Sequence, residues 1–348
     1  MLLVVGGYTQ RMDENTPGRA RGISVYAFNK HDGDLSFAGY VKDSNPSYVI
    51  TDRQRSIIYS VCELPADGGA AVCAHKVIID KTGKPRIEPL GKTELPGSAP
   101  CHLARAGRAL SVACYDSGEL IIVGLEDDGN VGEVQQSIGF TTTTKRDSHI
   151  HCSVYQASQN RLLVTDLGDD KVKVLDREDD GQFTYRPELD VEVQNCQGPR
   201  HIALEPGGRF AVVNGECRGV AHLLDVSGEK ILKVHQANVL PERVVDEAKG
   251  AAVRLSSNNR MVYVSDRTFN VVNALRLDHR AATLRFRHST PTGGAHPRDF
   301  ILSPDDEWLL TANLQSSSIG VFKLNPKGEL THYRTVSKIP TPTSLAWL

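Results

Sequence analysis

The chain has 348 residues, with 40 Lys plus Arg against 42 Asp plus Glu and a formal net charge of −2 at pH 7. That balance excludes the polybasic footprint of a nucleic-acid or anionic-membrane binder. No apolar run approaches the roughly 18 residues of a membrane span, and MLLVVGGYTQ lacks a basic stretch and a small-residue cleavage site, so it reads as a strand and not a signal peptide.

In chain order, the apolar strand MLLVVGGYT is followed by a loop over 12–21, then by the strands GISVYAFN from Gly22 and GDLSFAGYV from Gly33. At Asn45 a unit begins that recurs along the chain: NPSYVITDRQRSIIYSVCE, then APCHLARAGRALSVACYDSG from Ala99, HIHCSVYQASQNRLLVTDLGDD from His149, GPRHIALEPGGRFAVVNGE from Gly198, GAAVRLSSNNRMVYVSDR from Gly250 and HPRDFILSPDDEWLLTANLQ from His296. Each is an apolar strand, a polar turn, a second apolar strand and a polar tip. Third strands follow, such as ELIIVGL from Glu119, KVKVLD from Lys171 and SIGVFKL from Ser318, and then a weaker fourth. Turns such as EDDGN and NPKGE suit hairpins. Segments 65–71 and 141–148 read as loops. TPTSLAWL from Thr341 is a lone first strand, and its partner is the N-terminal MLLVVGGYT.

A spacing of roughly 45–54 residues points to a β-propeller with one four-stranded antiparallel blade per repeat. Seven blades are expected in a single domain over residues 1–348. Pairing the C-terminal strand with the N-terminal strands closes the ring and removes exposed sheet edges. The seven cysteines (Cys62, Cys73, Cys101, Cys114, Cys152, Cys196, Cys217) are scattered, with no CxxC, so no zinc or thioredoxin motif is visible. Free thiols in a reducing cytosol are expected, with no metal and no organic cofactor. A closed ring of this size is expected to be a monomer.

The start of strand one and the end of strand two of a hairpin lie at the same end. One channel mouth should therefore gather Ser47, Cys101, His151, Arg200, Ala251, Arg298 and Thr343 from strand one. From strand two it should gather Glu63, Tyr115, Asp166, Glu216, Arg267 and Asn313. Packing has no need of His151, Arg200, Glu216, Arg267 and Arg298 together. A histidine, a carboxylate and arginines around one cavity suit an anionic substrate and proton transfer. The bland alternative is bracing between blades, with Arg298 and Asp299 as a plain salt bridge. Strict alternation turns His102 and His201 toward the blade interfaces. Cys101, Cys152 and Cys196 lack a placed basic partner, which disfavours a thiolate nucleophile.

GGYT, GISVYAFN, NPSYV, APCHLA, HIHCSV–TDLGDDKVKV, GPRHIALEPGGRFAVVNGE, VYVSDRT and HPRDFILSP–LLTANLQSSSIGVF resemble the lactonase family of seven-bladed propellers over nearly the whole chain. That family includes cycloisomerase-like 6-phosphogluconolactonases and the fungal carboxymuconate-lactonizing enzyme. SSNNR and ARAGR depart from the family's usual turn, at the end away from the mouth. The resemblance implies a catalytic set that falls on His151 (with His149 just before it), Arg200, Glu216 and Arg267, and Arg298, His149 and Glu63 are expected to bind substrate. It implies a lactone hydrolase acting on 6-phosphogluconolactone in the pentose phosphate pathway; the enzyme is expected to be cytoplasmic and metal-independent, with His151 paired to Glu216 as base and then acid. Cyclisation of a carboxymuconate is the alternative enzyme reading, and a non-catalytic binding platform is the alternative outside enzymes.

Overall fold

The computed structural model describes residues 1–14, 16–143, 146–193 and 197–348. Cys196 and part of the expected 141–148 loop lie outside them. Among the described residues the strands form seven antiparallel sheets. The first strands of the blades are Pro342–Trp347, Val49–Asp52, Pro100–Ala106, Ile150–Gln156, Pro199–Leu204, Gly250–Leu255 and Pro297–Leu302, numbered here as blades 1 to 7. Each of these strands touches the first strands of both flanking blades, and blade 7 touches blade 1. They line one closed channel, as the repeat predicts.

Six blades have four strands; in blade 4 the third strand pairs with two short pieces, Phe183–Tyr185 and Val191–Glu192. The expected loop at 65–71 contains a 3-10 turn, Ala66–Gly68. Second strands such as Ile57–Cys62, Ala109–Cys114 and Trp308–Asn313 are buried at every position, while outer strands such as Val131–Gly139 alternate buried and exposed. A strand covered on both faces by neighbouring blades needs an unbroken apolar run; a strand at the rim needs only one apolar face.

Ring closure follows the expected pairing. Leu2–Gly7 pairs with Pro342–Trp347 from Leu3↔Trp347 to Gly7↔Pro342. The seam is sealed by aromatic packing, with Phe28 against Trp347 at 5.3 Å and against Trp308 at 5.7 Å between ring centroids. Trp347 Nε1 donates to the Leu302 carbonyl at 2.7 Å, joining blade 1 to blade 7. Blade 1 also approaches blade 2 so closely that a Cβ on Gly6 would lie 2.4 Å from the Pro46 carbonyl oxygen. Only glycine fits there.

The first strands share one irregularity. In blades 1 and 3 to 7 the register against the second strand shifts at the mouth, for example between Pro100/His102 and between Pro199/Ile202. In blade 2, Glu63 N–H donates to Asn45 and Val61 N–H to Tyr48, so three residues on one strand face two on the other. Each first strand therefore carries an extra residue, a β-bulge, which breaks the two-residue alternation of side chains.

Trp347→Ala is expected to cost about 3–5 kcal/mol, as for a buried aromatic replaced by alanine. Urea unfolding of the two proteins measures it. A loss below about 1 kcal/mol would show that this seam does not hold the ring shut.

Candidate active site

Hydrogen bonds across the hairpins fix which side chains share the mouth. The backbone N–H groups of Glu63, Tyr115, Leu167, Glu216, Arg267 and Leu314 donate to the carbonyls of Asn45, Ala99, His149, Gly198, Lys249 and His296 at 2.7–3.0 Å. Leu167 and Leu314 thus occupy the positions that sequence alignment gave to Asp166 and Asn313. Those two polar residues are fully buried one step back. Asp166 accepts the backbone N–H groups of His149 and Asp169, and Asn313 donates to the Thr292 carbonyl. In blade 1 the matching residue is Tyr8, which follows Gly7 at the register shift. Sequence reasoning missed it because this blade is divided between the chain ends.

Four charged groups predicted at the mouth do meet. The Glu216 carboxylate accepts Arg200 Nε at 2.8 Å and an Arg267 terminal nitrogen at 2.9 Å. Burial alone would raise the Glu216 pKa, but Arg267 and Arg200 outweigh it and hold the group at about 2. Arg200 is 2% exposed, and one terminal nitrogen donates both to the Ala251 carbonyl (2.7 Å) and to His201 Nε2 (3.1 Å). Burial, with Arg267 next to it, lowers the Arg200 pKa to about 10, so it stays a cation. Arg298 lies over the Tyr8 ring at 5.4 Å, and the Tyr8 hydroxyl donates to Glu63 at 3.1 Å. Three guanidinium groups thus face two carboxylates, leaving a formal excess of one positive charge.

His151 is buried against Tyr115 (5.7 Å, edge to face) and 5.3 Å from His201. Among the described residues its Nδ1 has no hydrogen-bond partner. The expected pairing of His151 with Glu216 is not the one found: both carboxylate oxygens are taken by arginines, whose long side chains reach across from two blades. Burial, then Arg200 and Arg298, push the His151 pKa well below its usual value, so the ring is neutral. His149 is half-buried, stacks on Tyr115 at 4.5 Å and engages the Tyr115 carbonyl through Nδ1 at 3.0 Å. His296, which the sequence reading passed over, also stands here. Burial, then Arg267, Arg298 and Arg200, lower its pKa to about 3, and its backbone sits at φ 63°, in the left-handed region.

His102 and His201 correct the expectation from alternation. His102 of blade 3 lies 5.5 Å from His201 of blade 5, and Tyr48 of blade 2 lies 6.1 Å from His201. These blades are not neighbours, so the rings meet over the channel and not at an interface. The bulge is the cause, since it lets Arg200 and His201 in succession turn the same way and touch. Asp299 pairs with Arg254 at 2.9 Å, in place of the adjacent Arg298. Cys101 and Cys152 are buried thiols: burial, then Glu63, raises the first well above the ordinary range, and burial raises the second to about 12. Neither is a thiolate nucleophile.

The arrangement has two tiers. An upper tier of arginines and carboxylates carries net positive charge. A lower tier of neutral histidines and Tyr48 meets across the channel.

A family model described as lactonase, 7-bladed beta-propeller, matches residues 2–347. A 6-phosphogluconolactonase of Bacillus subtilis (strain 168) is 25% identical over 96% of this chain and 96% of its own. One from Erwinia tasmaniensis is 26% identical over 71% of this chain and 72% of its own. Among solved structures, the periplasmic gluconolactonase of Pseudomonas aeruginosa has the same fold, with a TM-score of 0.89 at 24% identity, covering 99% of this chain and 98% of that one.

The buried histidines make stability depend on pH. Burial holds His102, at about 3, and His151 and His201, well below their usual value, neutral in the folded protein. Unfolded histidine takes up a proton below about pH 6.5. The unfolded state then binds more protons, so native stability falls as pH drops below about 6.5, by roughly 4 kcal/mol per pH unit for three imidazoles. Urea midpoints between about pH 7 and pH 5 test this. A flat profile would mean that these rings protonate inside the channel.

Proposed function

The chain belongs to the lactonase family of seven-bladed β-propellers, and from that membership we propose that it hydrolyses a small anionic lactone, with 6-phosphogluconolactone as substrate and 6-phosphogluconate as product. One observation carries the reading: Arg200, Arg267 and Arg298 outnumber the mouth's carboxylates, and the charges of Arg200 and Arg298 act on a neutral, buried imidazole.

Hydrolysis needs a base for the attacking water, stabilisation of the tetrahedral oxyanion, and a proton for the departing ring oxygen. Glu216, held at about 2 between two guanidinium groups, is a poor base. Its role is positioning: it fixes Arg200 and Arg267 as oxyanion donors that need not reorganise during reaction. His151 is the base. In the free protein its basicity is suppressed by burial and by the charges of Arg200 and Arg298. A bound phosphate oxyanion on Arg298 offsets part of that positive field and raises the imidazole pKa toward the working pH. The substrate would thus switch on its own base, and the protonated ring then gives its proton to the ring oxygen as the ester bond breaks. His149, anchored on Tyr115, contributes to binding, and Glu63 holds Tyr8 beneath Arg298.

No helix among the described residues is long and apolar enough to cross a membrane. The free thiols Cys62, Cys73, Cys101, Cys114, Cys152 and Cys217 support a reducing, cytoplasmic setting.

The test is hydrolysis of freshly made 6-phosphogluconolactone, corrected for spontaneous opening, with a carboxymuconate assayed in parallel. Saturable hydrolysis of the first without cyclisation of the second supports the proposal; the reverse pattern overturns it. His151→Ala should lower kcat by about 10²–10⁴, and His149→Ala by less than about tenfold. A larger loss in the His149 variant would exchange the two roles.

Arg298→Ala is expected to act mainly on substrate capture, raising KM by roughly ten- to a hundredfold, as loss of a charge-assisted contact does. Steady-state kinetics separate this from a fall in kcat alone, which would remove Arg298 from anion binding.

A further inference from the structure

Away from the mouth, blade 2 holds a cluster that the lactonase chemistry does not use. Ser60 and Cys62 alternate on the second strand, and Cys73 and His75 alternate on the third. The register pairs Ser60 with Cys73, Ile58 with His75 and Cys62 with Ala71. All four side chains therefore share one face. That face meets Asp43, which follows the outer strand Asp34–Val41 of blade 1.

The donor atoms converge. Cys62 Sγ and Cys73 Sγ are 3.6 Å apart, Cys62 Sγ is 3.3 Å from Asp43 Oδ1, and His75 Nε2 is 3.1 Å from Asp43 Oδ2. Ser60 Oγ donates to Asp43 Oδ2 at 2.6 Å and orients the carboxylate. Ligand atoms of Asp43, Cys62 and Cys73 all lie within 4.8 Å of one another. Zinc bonds of about 2.0–2.3 Å in a tetrahedron give donor–donor edges of roughly 3.3–3.8 Å. The Cys62–Cys73 and Cys62–Asp43 separations are close to those edges; His75 meets the set through Asp43 alone, at 3.1 Å. Cys62 is 2% exposed, Cys73 6% and His75 3%, and the Asp43 side chain is 6% exposed.

We propose that Cys62, Cys73 and Asp43, with His75 turned from its hydrogen bond on Asp43 to supply the fourth donor, form a site for a zinc-class divalent cation. Two thiolates, an imidazole and a carboxylate suit zinc. Calcium and magnesium take oxygen ligands, and copper(II) favours square-planar sites. The four ligands complete the coordination, so the role is structural. A cleft of about 800 Å³ leads to the cluster and gives the ion a path in. Arg21 and Lys42 line that cleft, and their charge complements the net negative charge of a dithiolate–carboxylate zinc centre. The ion would cross-link the exit of blade 1 to blade 2. It would also stiffen the chain next to the mouth, because Cys62 precedes Glu63 and Asp43 lies two residues before Asn45, whose side chain donates to the Glu63 carbonyl. Among the described residues His75 Nδ1 has no hydrogen-bond partner, so binding relies on the direct ligands.

The spacing gives no motif, since the two cysteines are brought together by strand register and the carboxylate comes from another blade. The test is anaerobic titration of the reduced, full-length protein with Co²⁺. One equivalent should bind with a thiolate-to-cobalt charge-transfer band in the near ultraviolet and tetrahedral d–d bands in the visible, and Zn²⁺ should displace it. The double variant Cys62→Ser/Cys73→Ser, checked for folding by circular dichroism, should lose the bands. A second readout needs no variant: Zn²⁺ should raise the Tm of the wild-type protein, and a chelator should reverse the rise. Absence of the bands in the wild-type protein, their persistence in the double variant, or a Tm that does not respond to Zn²⁺ would overturn the site.

Discussion

Every first strand carries one residue too many at the channel mouth, and the rest of the site depends on that bulge. In a regular strand successive side chains face opposite ways. Arg200 would then point into the channel while His201 pointed into a blade interface. The extra residue cancels that choice, so the guanidinium and the imidazole lie side by side and hydrogen-bond. Repeated around the ring, the same local defect stacks an ionic tier on a tier of neutral rings. A seven-fold scaffold of identical hairpins thereby acquires an asymmetric site, because only the side chains placed at the bulges differ.

The two tiers also divide the energetic load. Moving a guanidinium out of water costs several kcal/mol unless it is paired and its donors are filled. Arg200, almost fully buried, meets that requirement with Glu216, the Ala251 carbonyl and His201. His201 can accept from Arg200 only while its Nε2 carries no proton, so the neutral lower tier is a condition of the charged upper one. Among the described residues, Nδ1 of His102, His151 and His201 has no hydrogen-bond partner, and a buried polar nitrogen left so costs stability.

Much of this was legible in the residues themselves. The repeat period gave the blade count, and TPTSLAWL with MLLVVGGYT gave the closure, because both are patterns of apolar runs and such runs decide which strands are buried. Arg200, Glu216, Arg267 and Arg298 were visible because charge at the end of a buried strand has no packing purpose. What escaped was geometry finer than one residue. A bulge leaves no mark in an apolar pattern, so His102 and His201 were turned the wrong way, and Asp166 and Asn313 took the places of Leu167 and Leu314. Tyr8 was hidden by the split blade. Which acid meets which base was equally out of reach: Glu216 lies between two arginines because their side chains are long enough to arrive from flanking strands.

The free protein holds His151 neutral because it is buried and because Arg200 and Arg298 repel its proton. The most direct measurement is the titration of the His151 ring by NMR, in the free protein and with 6-phosphogluconate bound. An imidazole whose pKa lies well below its ordinary value when free, and rises on binding the anion, is the predicted result. A ring already protonated near pH 7 in the free protein, or a pKa that the anion leaves unmoved, would contradict it.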